Sequence, residues 1–129
     1  MNFDIMEDMM KKLLIVDDQE MYLMSLAVAL KKHYIVSTAN NYSDAIEILE
    51  EKYDLALVDI RLDESDNQNV DGLKILEWCK INQPETVVFI MSAYTEFSYA
   101  EKALNLGARH FFRKPIDILD LLTQLREKG

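Results

Sequence analysis

Five short runs of continuous apolar residues recur along the chain, each followed by a stretch of helical periodicity, and this alternation constrains the fold more than any other feature. The runs are Lys12–Asp17 (KLLIVD), Tyr34–Ala39 (YIVSTA), Leu55–Asp59 (LALVD), Thr86–Met91 (TVVFIM) and His110–Arg113 (HFFR). They do not alternate apolar with polar residues, as expected of strands covered on both faces in a parallel sheet. The segments between and after them are Gln19–His33, Tyr42–Lys52, Gly72–Asn82, Phe97–Leu106 and Asp117–Lys128. In the first, Leu23, Ala27 and Leu30 fall on one helical face, and in the last Ile118, Leu121, Leu122 and Leu125 do the same. Leu119 is one apolar residue more than that stripe needs. It is counted with the core, with an exposed contact as the alternative.

End signals agree with these segments. Asn41 with Asp44, Thr95 with Glu96, and Asp117 with Asp120 place capping acceptors and negative charge at helix starts, while Lys31, Lys32, Arg126 and Lys128 stand at helix ends. Five strand-then-helix units linked by right-handed crossovers predict a three-layer, doubly wound α/β fold: an open five-stranded parallel sheet with five helices on its two faces. A chain of 129 residues is one core's worth, and three Gly and two Pro leave little room for linkers. Residues 1–10 mix Met, Phe and Ile with acids and read as a flexible extension ahead of a domain spanning 11–128.

Charge and cysteine use narrow the function classes. A formal net charge of −9 opposes binding to polyphosphate backbones, so no direct nucleic-acid partner is expected. One Cys cannot form an internal disulfide, and Cys79, His33 and His110 are too scattered for a zinc site; a buried Cys79 beside Trp78 reads as inert packing. No apolar stretch approaches about 18 residues and the start is acidic where a signal peptide would be basic, so a cytoplasmic location without membrane contact is expected.

In an open parallel sheet, ligands bind beyond the carboxyl ends of the strands, where the strand order reverses. Here the first strand closes with Asp17 and Asp18, the third with Asp59, the fourth runs into Ser92 and Ala93, and the fifth ends in Lys114-Pro115. A strand-end Asp alone is commonly a helix cap and a terminal Lys a solvated charge; five such groups on one edge are a different matter. Three neighbouring carboxylates repel by about 4 kcal/mol per pair at ~4 Å and an effective dielectric near 20, so they require a cation or protonation. Oxygen-only donors suit Mg²⁺. With Lys114 opposite, such a site would surround one oxygen of Asp59 with positive charge, suited to a transferring phosphoryl group, with Asp59 as the nucleophile that forms an acyl phosphate.

The segments LLIVDDQE, LALVDI, VDGLKIL, FIMSAY and LGARHFFRKPIDILDLL resemble, in order and spacing, the receiver domain of two-component response regulators over about residues 11–128. The resemblance implies a flavodoxin-like fold of the receiver type. It implies that Asp17 and Asp18 hold Mg²⁺ with Asp59 and the backbone carbonyl of Arg61, and that Asp59 accepts a phosphoryl group from a histidine kinase or phosphotransfer protein. Ser92 would bind one phosphoryl oxygen, Ala93 would leave room for it, and Lys114 would pair with another. Phe111 falls at the switch aromatic, and the Lys114-Pro115 bond would be cis. Phosphorylation would then draw Ser92 and Lys114 inward, let Phe111 turn in, and reshape the face made by the fourth helix, fifth strand and fifth helix. That face would bind a downstream protein target, an attached effector domain or a second copy of the chain. Apart from self-catalysed phosphotransfer and autodephosphorylation, no turnover enzyme is implied.

Two features depart from the family pattern. The segment IRLDESDNQNV intervenes before Asp71-Gly72, an insertion of about five residues without the usual Pro. Residues 62–70 read as a tolerated surface loop, with a kinase-screening role for their acidic charge as the sharper alternative; Asp63, Glu64 and Asp66 lack the spacing of an EF-hand. Arg61 and Tyr94, each two residues beyond Asp59 or Ser92, form a bulky pair expected to slow hydrolysis of the acyl phosphate. Two rivals stand beside this reading. An aspartyl-phosphate phosphohydrolase wants a second acid two residues after its nucleophile, where this chain has Arg61 or Gln19. A non-phosphorylated interaction module would not need all the site residues. If the chain is complete, with Glu127-Lys128-Gly129 at its end, its output lies in a partner.

Overall fold

The computed structural model describes residues 10–93 and 97–129. In chain order the elements are β1 (Lys12–Val16), α1 (Glu20–Leu30), β2 (Ile35–Ala39), α2 (Tyr42–Leu49), β3 (Leu55–Asp59), α3 (Asp71–Asn82), β4 (Val87–Ser92), α4 (Phe97–Asn105), β5 (Phe111–Arg113) and α5 (Ile118–Lys128). The five strands form one parallel sheet in the order β2-β1-β3-β4-β5, so the chain runs outward from β1 to β2 and then crosses back to β3. The reversal lies between β1 and β3. The expected doubly wound, three-layer architecture is therefore the one observed.

Successive side chains of each strand point to opposite faces, and both faces are covered. On one face Leu14, Val16, Ala56, Val58, Val88 and Ile90 pack with Ala45 and Leu49 of α2, Leu73, Ile75, Leu76 and Cys79 of α3, and Ala103 of α4. On the other Leu13, Ile15, Leu55, Leu57, Phe89, Met91 and Phe112 pack with Leu23, Leu26 and Leu30 of α1 and Leu121 and Leu125 of α5. Phe89 and Phe112 approach ring to ring at 6.2 Å. The central strands β1, β3 and β4 are buried on both sides, which is why they read as near-continuous apolar sequence, whereas the edge strands β2 and β5 are only partly covered.

Local signals acted as expected at two helix starts: Asn41 accepts the Asp44 N–H, and Asp117 accepts those of Leu119 and Asp120. The Thr95-Glu96 cap and the 1–9 part of the N-terminal extension lie outside the described residues. Three expectations need correction. The buried stripe of α1 is Leu23, Leu26 and Leu30, with Ala27 at its margin, because the 3-4 spacing of the leucines places the larger side chains against the sheet. Helix α3 begins at Asp71 and not Gly72. Leu119 is 77% exposed, since Leu121 and Leu125 already fill the face of α5 that meets the sheet.

Candidate functional site

The reversal between β1 and β3 brings the carboxyl ends of these strands side by side, with Asp17 just beyond β1 and Asp59 as the last residue of β3. Asp59 pairs in register with Met91, which carries Ser92 to the same edge, and the Lys114 N–H donates to the Ser92 carbonyl at 2.9 Å. The sheet thus gathers Asp17, Asp59, Ser92 and Lys114, and Asp18 follows Asp17. Ser92 is buried and Ala93 is exposed at the rim. The Lys114-Pro115 peptide bond is cis, as the resemblance implied.

Asp17 and Asp59 are 0% and 2% exposed. The Lys114 ammonium donates to Asp17 Oδ2 at 2.8 Å and to Asp59 Oδ2 at 3.4 Å, with its own side chain 6% exposed. Burial raises the Asp59 carboxyl most; Lys114 opposes this and Asp17 reinforces it, leaving Asp59 at about 7. Burial likewise raises Asp18, against a lowering hydrogen bond from the Glu64 amide and with a further push from the charges of Glu64 and Asp17. For Lys114, burial acts downward, but the bond to Asp17 and the charges of Asp59 and Asp17 outweigh it and hold the ammonium above its ordinary value. The edge is short of positive charge: one ammonium faces three carboxyl groups.

The residues fit a hard divalent cation. One oxygen from each of Asp17, Asp18 and Asp59 lies within 4.8 Å of the other two. Asp18 Oδ1 is buried with no hydrogen-bond partner among the described residues, an unfavourable state that a cation would relieve. An all-carboxylate set of oxygen donors matches the preference of Mg²⁺ for hard oxygen ligands.

The other expected site residues are placed as follows. Arg61 follows the strand end, and its guanidinium turns toward the insertion, where Nη2 donates to the Asn67 carbonyl at 3.2 Å. Its supposed partner Tyr94 lies outside the described residues. Phe111 is half-buried against the first core cluster, on the face of the sheet that α4 covers. The histidines stay outside the site: the His110 ring lies tilted against Phe112 with ring centroids 4.6 Å apart, and its Nδ1 meets Lys128 Nζ at 2.9 Å.

Two contributors had no clear mark in the sequence. Tyr22 lies with its ring 4.7 Å from the Lys114 ammonium, and its hydroxyl accepts the Ile116 N–H at 3.0 Å, so one side chain holds both the lysine and the loop that follows it. Its position on α1, a turn after the acidic pair, was the available signal. Gly72 was the second. A Cβ there would stand 2.0 Å from the Asp59 carbonyl oxygen and 2.6 Å from Ile60 Cα, while the Gly72 N–H donates to the Ile60 carbonyl at 2.8 Å. Glycine lets α3 begin against the backbone of the phosphoacceptor candidate, and its scarcity in this chain was the clue.

Among the described residues, no helix is long and apolar enough to cross a membrane. The family model described as the response regulator receiver domain matches residues 13–126. The sporulation initiation phosphotransferase F of Bacillus subtilis is 35% identical over 112 residues, covering 85% of this chain and 86% of that protein. The transcriptional regulatory protein ZraR of Klebsiella oxytoca is 37% identical over 117 residues, which are 89% of this chain and 25% of that protein; the chain spans about a quarter of this longer relative. Among solved structures, a CheY-like response regulator receiver domain protein from Methanospirillum hungatei superposes with a TM-score of 0.83 at 30% identity, covering 92% of this chain and 93% of that one. With its strand order, its acidic switch-point edge and a family match over nearly its whole length, the chain belongs to the receiver domains of response regulators.

Proposed function

We propose that the chain is a phosphoacceptor switch in which Asp59 takes a phosphoryl group from a histidine kinase or phosphotransfer protein. The observation that carries this reading is the convergence of Asp17, Asp18, Asp59 and Lys114 on one buried edge, with Asp59 pushed to about 7 and Lys114 shared between two carboxyl groups. Asp17, Asp18 and Asp59, with the Arg61 carbonyl, would hold Mg²⁺, which when bound supplies positive charge to the carboxyl groups and to phosphoryl oxygens. An Asp59 carboxylate oxygen attacks phosphorus, the bond from phosphorus to the donor breaks, and its electron pair leaves with the donor. Lys114 moves its allegiance toward a phosphoryl oxygen, Ser92 donates its hydroxyl to another, and Ala93 leaves room for it.

The output follows from the same edge. Lys114 and Ser92 are tied through the Lys114 N–H to the Ser92 carbonyl, so drawing both inward shifts the ends of β4 and β5 together. Phe111, three residues before Lys114, then turns further into the space beside α4. The α4-β5-α5 face would bind a downstream protein, an attached effector domain or a second copy of the chain. Incubation with Mg²⁺ and acetyl phosphate, followed by intact-mass measurement, tests the reading: one hydroxylamine-labile phosphoryl adduct is expected in the wild type and none in Asp59→Asn. Turnover of the donor without an adduct would instead support a phosphohydrolase, and no reaction an interaction module.

A further inference from the structure

The insertion between β3 and α3 is folded as a strap and reaches the site. Leu62 is buried in the first core cluster, and Asn69 Oδ1 accepts both the Leu62 N–H and the Asp71 N–H at 3.0 Å, closing the two ends of the segment on one side-chain oxygen. Within it, Asp63 Oδ1 accepts from the Ser65 amide and hydroxyl, Asp66 Oδ1 accepts from the Gln68 amide, and the Asp66 N–H returns to the Asp63 carbonyl. The carboxylates of Asp63 and Asp66 are thereby engaged inside the strap. The Glu64 amide is not: it donates to Asp18 Oδ2 at 3.1 Å, across 46 residues of sequence. Asp18 is left with Oδ2 fixed and Oδ1 buried without a hydrogen bond.

From this we infer that the Leu62–Asn69 strap is a built-in part of the cation site, with the Glu64 backbone amide acting as the positioning group that holds Asp18 in its ligating orientation. The inference rests on the phosphoacceptor reading in that it takes Asp18 as a ligand of the divalent cation. A carboxylate free to rotate must be ordered when the cation arrives; one already held by an amide avoids that cost, so affinity rises without a new ligand. Linkage makes the effect reciprocal: whatever the strap adds to cation affinity, the cation adds to the order of the strap. The insertion would then report metal occupancy on the surface beside the phosphoacceptor.

Isothermal titration of the full chain with MgCl₂ tests this, using Glu64→Pro, which removes the amide hydrogen, Glu64→Gln, which keeps it, and a chain in which residues 63–68 are replaced by Gly-Gly. Loss of one charge-assisted hydrogen bond should weaken Mg²⁺ binding about tenfold in Glu64→Pro and in the shortened chain, with Glu64→Gln within about threefold of wild type. In amide NMR spectra of the wild type, the Glu64 resonance should shift along the same Mg²⁺ saturation curve that calorimetry gives. Wild-type affinity in both the proline variant and the shortened chain, or a Glu64 resonance indifferent to Mg²⁺, overturns the role of the strap. Failure of the wild type itself to bind Mg²⁺ overturns the cation reading beneath it. The shortened chain carries no new proline, so a misfolded Glu64→Pro does not spare the proposal.

Discussion

The Lys114 ammonium is closer to Asp17 Oδ2, at 2.8 Å, than to Asp59 Oδ2, at 3.4 Å, so its first partner is Asp17 and not Asp59, the proposed phosphoacceptor. Both members of this pair are buried, where breaking an ion pair costs more than the pair gains over an apolar replacement. Lys114→Met should therefore destabilise the protein by about 3–5 kcal/mol at pH 8 without divalent cation. At pH 5 the Asp59 carboxyl, pushed up to about 7 chiefly by burial, takes a proton and the loss should shrink. Urea unfolding of both proteins at the two pH values checks this; an equal loss at both would show that the lysine acts through packing.

The Asp59 carboxyl gives a second pH signature. Its folded value, about 7, lies above the ordinary 3.8, chiefly through burial, so the fold favours the protonated form. The stabilising contribution of that proton is complete below 3.8 and is lost as pH rises through about 7; the interval corresponds to on the order of 4 kcal/mol. Unfolding free energies of the cation-free protein should fall between pH 4 and pH 8, and Asp59→Asn should remove most of that slope and be the more stable chain at pH 8. Adding Mg²⁺ should flatten the wild-type profile. A parallel slope in the variant would place the titration elsewhere.

At Gly72 the constraint is steric. A methyl group would overlap the Asp59 carbonyl oxygen and the Ile60 backbone, neither of which is a flexible side-chain end. Gly72→Ala should cost about 3 kcal/mol by overpacking, and it should slow acyl-phosphate formation as well, because relief of the clash displaces Asp59, the proposed phosphoacceptor. A variant equal to wild type in both unfolding and phosphorylation would show that α3 can retreat without disturbing Asp59.

Much of this architecture is written in the sequence. The central strands were legible because burial on both faces writes them as unbroken apolar runs such as LALV, and the convergence of Asp17, Asp18, Asp59 and Lys114 because they stand at strand ends, which the topology must bring together. Leu119 was misplaced because a periodic count does not say when a helix face is already full. Tyr22 was missed because its task depends on a lysine 92 positions away, a distance no local pattern spans. The contact of Glu64 with Asp18 was invisible for a further reason: it is made by a backbone amide, which every residue but proline carries.

Phe111 is half-buried against the cluster that includes Ile90 and Ala103. A phenol hydroxyl at this position must keep water or find a partner as the ring turns inward, whereas the bare ring has nothing to satisfy. Phe111→Tyr should therefore lower the inward population by about 1 kcal/mol, roughly fivefold. The ratio of the two states, read from amide shifts of α4 and β5 in the unphosphorylated and phosphorylated protein, gives the value directly. Identical ratios in the two proteins would remove Phe111 from the switch.

The face of α1 turned away from the sheet carries Met21, Met24 and Val28, which are 89%, 55% and 55% exposed. Their spacing puts them in one stripe, and the helix starts at the rim beside Asp17 and Asp18. An apolar stripe of this kind is left uncovered at a cost in solubility, and if Asp59 is phosphorylated as proposed, a donor protein reaching it would dock beside this stripe. Met24→Glu should leave unfolding free energy within about 0.5 kcal/mol of wild type, as surface changes do. It should slow phosphotransfer from a histidine-phosphorylated partner by about tenfold through loss of apolar contact, while the rate with acetyl phosphate, which has no protein surface to dock, stays the same. Equal slowing with both donors would trace the effect to the site itself, and no slowing with either would leave the stripe outside the docking face.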